Sequence, residues 1–268
     1  SAAPLFILAG GPGQAASDLY TAYAGAFGRV HREHDIVLVD QRGTGRSGRL
    51  DCELPDDWSE AAASLPALRA AVSACLAKLG PRVRHYTTRN AVADLEAVRV
   101  ALGYRKIALY GASYGTRVAQ QYLRHHAASV TAVILDGVVD PERPIGPDMP
   151  ADAERALQSI VARCAADADC QRSFPDLAAE LAQLRQRFGP QSVSVSIADP
   201  ETGLPRAVIF NRSLFVTALR FLSYNSNQAA ILPLSLHEAA HGQYATLAAQ
   251  GMMSSSDVSE AIAVGMHN

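Results

Sequence analysis

The chain has 268 residues, 49% of them apolar and 19% charged, with a formal net charge of −2. That size accommodates one large α/β domain or a core with a substantial insertion. The near-neutral balance gives no electrostatic case for nucleic acid or a membrane surface as partner.

No apolar run approaches the ~20 residues needed to span a bilayer. The opening Pro4-Leu5-Phe6-Ile7-Leu8 reads as a core strand rather than a signal peptide. Lys78 and Lys106 are the only lysines, which with the heavy alanine content is compositional bias.

In chain order, short apolar runs at 5–9, 36–39, 107–110 and 132–135 predict strands, and periodic stretches at 17–29, 90–102 and 115–126 predict helices. Apolar strands alternating with helices imply a parallel sheet covered on both faces. The first strand runs into Gly10-Gly11-Pro12-Gly13, a turn able to aim a backbone N–H at a reacting carbonyl oxygen. After the second come Asp40-Gln41-Arg42-Gly43-Thr44-Gly45-Arg46-Ser47-Gly48. Gly43, Gly45 and Gly48 formally spell G-x-G-x-x-G, but no helix follows directly, so a dinucleotide site is not expected.

The third strand enters Gly111-Ala112-Ser113-Tyr114-Gly115 and a helical pattern leaves it. G-x-S-x-G between strand and helix is the context of a nucleophile elbow, in which a sharp turn presents a serine hydroxyl. Side chains two before and two after Ser113 would collide across the turn, which accounts for Gly111 and Gly115. The N–H of Tyr114, at the positive end of the helix, pairs with that of Gly11 as an expected oxyanion hole. After the fourth strand, Pro141, Pro144, Pro147 and Pro150 mark a boundary.

The sequence from about 151 reads as mostly helical, at 153–164, 177–188, 214–224, 229–248 and 256–264. One hairpin is expected, 193–197 against 207–210. The expected organisation is therefore a partial core over 1–140 and an inserted helical cap or lid over 141–268.

Four cysteines fall as two local pairs, Cys52 with Cys75 and Cys164 with Cys170. Two disulfides imply an oxidising compartment, with buried free thiols as the alternative. Zinc-knuckle spacing is absent. His237 and His241 stand four apart on a helix, but no third ligand is evident in the sequence. Neither a metal nor a cofactor is expected.

Taken together and in this order, G-G-P-G, D-Q-R-G-T-G-x-S, Asn90-x₃-Asp94-Leu95-Glu96-x₂-Arg99 and G-x-S-Y-G-T resemble the proline iminopeptidase and tripeptidyl aminopeptidase branch of the α/β-hydrolase superfamily. The resemblance spans 4 to about 141. One departure is Ala9, where family members often have histidine.

The resemblance implies a serine hydrolase releasing residues or short peptides from free N-termini through an acyl-enzyme on Ser113. A small-ester hydrolase and a non-catalytic derivative are the alternatives. It implies a peptide or small acyl substrate and a cap that restricts access to chain ends. Extracytoplasmic members of the branch carry disulfides, so a periplasmic or secreted location is expected.

A serine of this kind needs a histidine base and an orienting acid. In this fold both follow the nucleophile in the chain. No histidine within 268 residues is placed for the role, and Asp136 or Asp140 serves as acid only in a variant geometry. The segment therefore reads as the middle of a larger enzyme, with the missing residues supplied by the rest of that polypeptide.

Overall fold

Strand β1 (Leu5–Leu8) is one of the two inner strands of a four-stranded parallel sheet with β2 (Ile36–Leu38), β3 (Ile107–Ala112) and β4 (Val130–Asp136), in the order β2-β1-β3-β4. The computed structural model describes residues 2–50, 65–144, 146–199 and 202–261. Two compact units divide the chain. The first holds the sheet, within 1–54, 69–145 and 260–268; the second comprises 55–68 and 146–259.

In the first unit, Phe6, Ile7 and Leu8 have no exposed surface, as a strand covered on both sides requires. Phe6 and Leu8 face Leu95 of α3 (Thr88–Ala101) and Val118 and Tyr122 of α4 (Tyr114–His126). Leu5 and Ile7 face Leu19 and Phe27 of α1 (Ala16–Phe27). Burying each such side chain stabilises the fold by roughly 1.5–3 kcal/mol. The period-2 alternation thus places one face of β1 against two helices and the other against a third.

The helix ends follow local chemistry. Thr87 caps α3 by accepting the N–H of Asn90. Ala15 cannot cap α1, and the carboxylate of Asp40, arriving from the end of β2, accepts the Ser17 N–H (3.0 Å) and hydroxyl (3.1 Å) instead. Helix α2 (Leu65–Leu79) had no counterpart in the sequence expectation, because its alanine-rich stretch offers little contrast between faces. Buried Cys75 and Leu79 of α2 pack with Leu50.

The second unit contains α5 (Met149–Ala166), α6 (Ala168–Ser173), α7 (Leu177–Arg187), the antiparallel hairpin β5 (Val193–Ala198) and β6 (Pro205–Phe210), α8 (Arg212–Leu222), α9 (Ser226–Ala240) and all but the last two residues of α10 (Ala245–Ala261). Its core gathers Leu184, Phe188, Phe210, Phe215, Leu232 and Leu247. The single helix expected over 229–248 is in fact two. Gly242 takes φ +89°, the left-handed conformation that ends helices at low cost, and the chain turns between α9 and α10. Short α6 was also unforeseen; Asp167 caps it by accepting the N–H groups of Asp169 and Cys170.

Cys164 and Cys170 form a disulfide that closes the α5–α6 corner. Cys52 lies outside the described residues, and the pairing expected for it with Cys75 lies there too. Among the described residues no helix is long and apolar enough to cross a membrane.

Candidate active site

Ser113 stands between β3 and α4 with φ +52° and ψ −120°, the one non-glycine residue with positive φ among those described. Such a conformation costs an L-residue of order 1–3 kcal/mol and persists only when its surroundings impose it. Here the imposition is visible. The Ser113 N–H donates to the Asp136 carbonyl of β4 at 2.8 Å, and the Ser113 carbonyl accepts both the N–H (2.9 Å) and the hydroxyl (2.7 Å) of Thr116.

The flanking glycines have separate reasons. A methyl on Gly111 would lie 2.5 Å from the Gly115 carbonyl oxygen, the expected collision across the turn. A methyl on Gly115 meets something else, the carbonyl oxygens of Leu8 at 2.1 Å and Ala9 at 2.8 Å. Gly115 is therefore fixed by the approach of α4 to the end of β1, a tertiary contact that the pentapeptide does not reveal.

The glycine turn after β1 reaches the serine through Gly10, where an added methyl would lie 3.1 Å from Ser113 Cβ and 3.6 Å from Oγ. Gly11 follows with φ +99°, and Gly11–Pro12 is a cis peptide. Tyr114 opens α4, so its N–H is among those without an intrahelical acceptor. Its side chain is buried, and its hydroxyl pairs with that of Thr88 at 2.7 Å. Burial pushes this phenol up, outweighing the hydrogen bond that favours ionisation.

The aspartates after β4 are occupied. Asp136 Oδ2 accepts the Tyr110 hydroxyl at 2.6 Å, and burial first, then that bond, pushes the Tyr110 phenol up to about 12. Asp140 Oδ1 accepts the N–H of Glu142, a local turn. Among the described residues no histidine hydrogen-bonds Ser113 Oγ. His125 and His126 close α4, about 18 Å along the helix axis from its start, and His126 stacks on Tyr122. His34 precedes β2 and meets the Ala3 carbonyl. His85 presents its carbonyl to Arg42 and Asn90.

The segment Asp40–Gly48 is a scaffold for the turns around the serine. Burial alone would raise Asp40, but hydrogen bonds from the Arg46 and Ser17 N–H groups prevail and hold it below the usual carboxylate range. Gly45 is glycine because a methyl there would lie 2.2 Å from Asp40 Oδ2. Arg42 forks onto Asp94 of α3 with bonds of 2.7 and 2.6 Å, which pushes its guanidinium up. Glu96, two residues on, takes Arg99 in the same bidentate way and also the Tyr122 hydroxyl at 2.6 Å. The Arg99 bonds, then Tyr122, draw Glu96 down to about 2 against the cost of burial.

Sequence reasoning missed Arg117. This side chain is 4% exposed and donates to the carbonyls of Asp140, Pro141 and Arg143, fastening the segment that leaves β4 onto α4. Its place two after Gly115 was the available signal, since that turn of α4 is wholly buried.

In the second unit a cavity of about 530 Å³ is lined by Phe188, Phe215, Leu219, Arg185, Arg212 and Arg220, among others. That unit also holds His237 and His241, for which no third ligand is evident in the sequence. Glu180 of α7 lies beside both, and one donor atom of each residue falls within 4.8 Å of the others.

A family model described as the alpha/beta hydrolase fold matches residues 3–169. Serine protease Hip1 of Mycobacterium tuberculosis is 34% identical over 188 residues, 62% of this chain and 36% of that protein. The tripeptidyl aminopeptidase of Streptomyces coelicolor is 28% identical over 147 residues, 50% of this chain and 27% of that one. A proline iminopeptidase of Xylella fastidiosa is 30% identical over 140 residues, 50% of this chain and 32% of that one. The chain spans about a third of the length of these relatives. With the parallel sheet, the strand–serine–helix junction and the matched family model in agreement, the chain belongs to the α/β-hydrolase fold family.

Proposed function

We propose that this chain carries the nucleophile-bearing part of a serine hydrolase, a peptidase acting at free N-termini. Ser113 attacks the scissile carbonyl, and the N–H groups of Gly11 and Tyr114 receive the oxyanion. The observation that carries this reading is the positive φ of Ser113, held by Asp136 and Thr116 with Gly10 against its Cβ. Backbone strain at one serine, kept in place by three separate elements, fits a hydroxyl presented for chemistry.

The base and acid come from polypeptide beyond these 268 residues. The sheet supports that: among the described residues the outer backbone edges of β2 and β4 have no partner strand, and Leu38 (37% exposed) and Ile134 (52%) leave apolar surface on its faces uncovered. The helical part from about 141 acts as the hydrolase cap and selects chain ends. The enzyme works outside the cytoplasm, a reading supported by the Cys164–Cys170 disulfide.

Two measurements test the proposal. A fluorophosphonate probe on the complete enzyme should map to Ser113, and an adduct elsewhere would overturn the assignment. Aminoacyl or tripeptidyl chromogenic amides should be cleaved and their N-acetyl forms left intact. Equal turnover of both would favour an esterase or endopeptidase.

A further inference from the structure

Helix α9 ends in His237-Glu238-Ala239-Ala240-His241, two histidines at i and i+4 and hence on one helix face. Glu180, 57 residues earlier on α7, completes the face. Its Oε1 lies 2.7 Å from His237 Nδ1 and 4.0 Å from His241 Nδ1. Glu180 is only 9% exposed, and its second oxygen, Oε2, is buried with no hydrogen-bond partner. A carboxylate this buried, bonded at one oxygen only, is costly to hold unless a positive charge lies beside it.

We propose that Glu180, His237 and His241 bind one divalent cation of the zinc class. Two imidazole nitrogens and a carboxylate oxygen are a donor set that suits zinc, with a fourth position left for water. The cation takes the place of the proton between His237 Nδ1 and Glu180 Oε1, binding the nitrogen lone pair and the carboxylate together, while the neutral imidazole carries its one N–H on Nε2.

The surroundings fit. His241 Nδ1 donates to the His237 carbonyl at 2.8 Å, which leaves Nε2 with the lone pair for the cation. Tetrahedral zinc sets its ligand atoms about 3.3 Å apart. The 4.8 Å spread closes by a small shift of His241, whose side chain is 60% exposed. The ring of Phe174 packs edge-on against that of His237, with centroids 5.4 Å apart, and limits its rotation.

Glu238, the acid inside the pentapeptide, accepts the Thr246 hydroxyl at 2.9 Å and so ties α9 to the start of α10. It serves the helix corner rather than activating a metal-bound water. The site is a binding site, and it stands independently of the proposed chemistry at Ser113.

Titration calorimetry of zinc chloride into the chelator-stripped chain tests this. One equivalent should bind, and His241→Ala, a surface change that spares the fold, should weaken it by about tenfold or more. Glu180→Gln should do the same while keeping a hydrogen bond to His237, and Glu238→Gln should leave affinity unchanged. Cobalt(II) bound at the same site should give the intense visible bands of tetrahedral coordination, lost in His241→Ala. The proposal is overturned if the wild-type chain shows no saturable single-site binding, or if His241→Ala binds as tightly as wild type.

Discussion

Gly115 rests so close to Leu8 that a methyl group added to it lies 2.1 Å from the Leu8 carbonyl oxygen. That approach seats α4 on β1 and thereby fixes where Ser113 sits. The obstacle is backbone on a fully buried strand, which cannot swing aside as a side-chain tip would. Gly115→Ala should therefore destabilise the first unit by about 3 kcal/mol or more, the upper range for overpacking. Urea unfolding followed by circular dichroism measures it, and a loss below 1 kcal/mol would show that α4 can lift away cheaply.

Ser113 offers a paired test of strain and chemistry. Ser113→Gly relieves the positive φ and should raise stability by roughly 1 kcal/mol, whereas Ser113→Ala keeps the strain and should not. Both should abolish fluorophosphonate labelling. In the complete enzyme, removing the hydroxyl should lower kcat by several orders of magnitude. If the glycine variant is less stable than wild type, the serine side chain contributes packing that outweighs the strain.

Glu96 should make the fold acid-sensitive. Its carboxyl sits at about 2 in the folded chain against 4.5 for the free group, because Arg99 and Tyr122 bond the ionised form. A depressed value means the stabilisation is fully present above about 4.5 and is lost as pH falls toward 2. The loss amounts to at most about 3 kcal/mol. Glu96→Gln should be less stable than wild type at pH 7 and should show a flatter decline between pH 5 and 2. Parallel curves for the two proteins would assign the acid sensitivity elsewhere.

Arg117 holds three carbonyls with one guanidinium, and its Nε is buried without a partner. Arg117→Lys replaces a planar fork with a single ammonium and should not substitute for it. Both Arg117→Lys and Arg117→Met should cost about 2–4 kcal/mol and speed amide exchange over 140–143. Unchanged exchange would mean that other contacts hold this segment.

The Cys164–Cys170 disulfide closes a short loop, so its constraint on the unfolded chain is worth about 2 kcal/mol. Cys164→Ser with Cys170→Ser should lower the stability of the helical unit by that order. Mass spectrometry of unreduced digests from the native compartment should find the bridge. Two alkylatable thiols at these positions would remove the support for an extracytoplasmic location.

The sequence by itself determined the parallel-strand core and the strand–serine–helix turn, because both are written in local grammar. Apolar runs such as 5–9 and 107–110 have one solution between helices, and Gly111-Ala112-Ser113-Tyr114-Gly115 marks a sharp strand-to-helix turn by its glycine spacing. The hairpin over 193–210 was legible for the same reason. Tertiary structure alone decided what depends on distant chain segments. Asp40 caps a helix 23 residues away, Arg42 forks onto Asp94 across 52, and Glu180 meets His237 across 57. No window of neighbouring residues encodes those separations. The helix expected over 229–248 fell to one backbone angle at Gly242, since apolar periodicity continues through a glycine that the folded chain uses to turn. Spacing along a helix placed His237 and His241 on one face, but only the packing of α7 against α9 brought them a carboxylate.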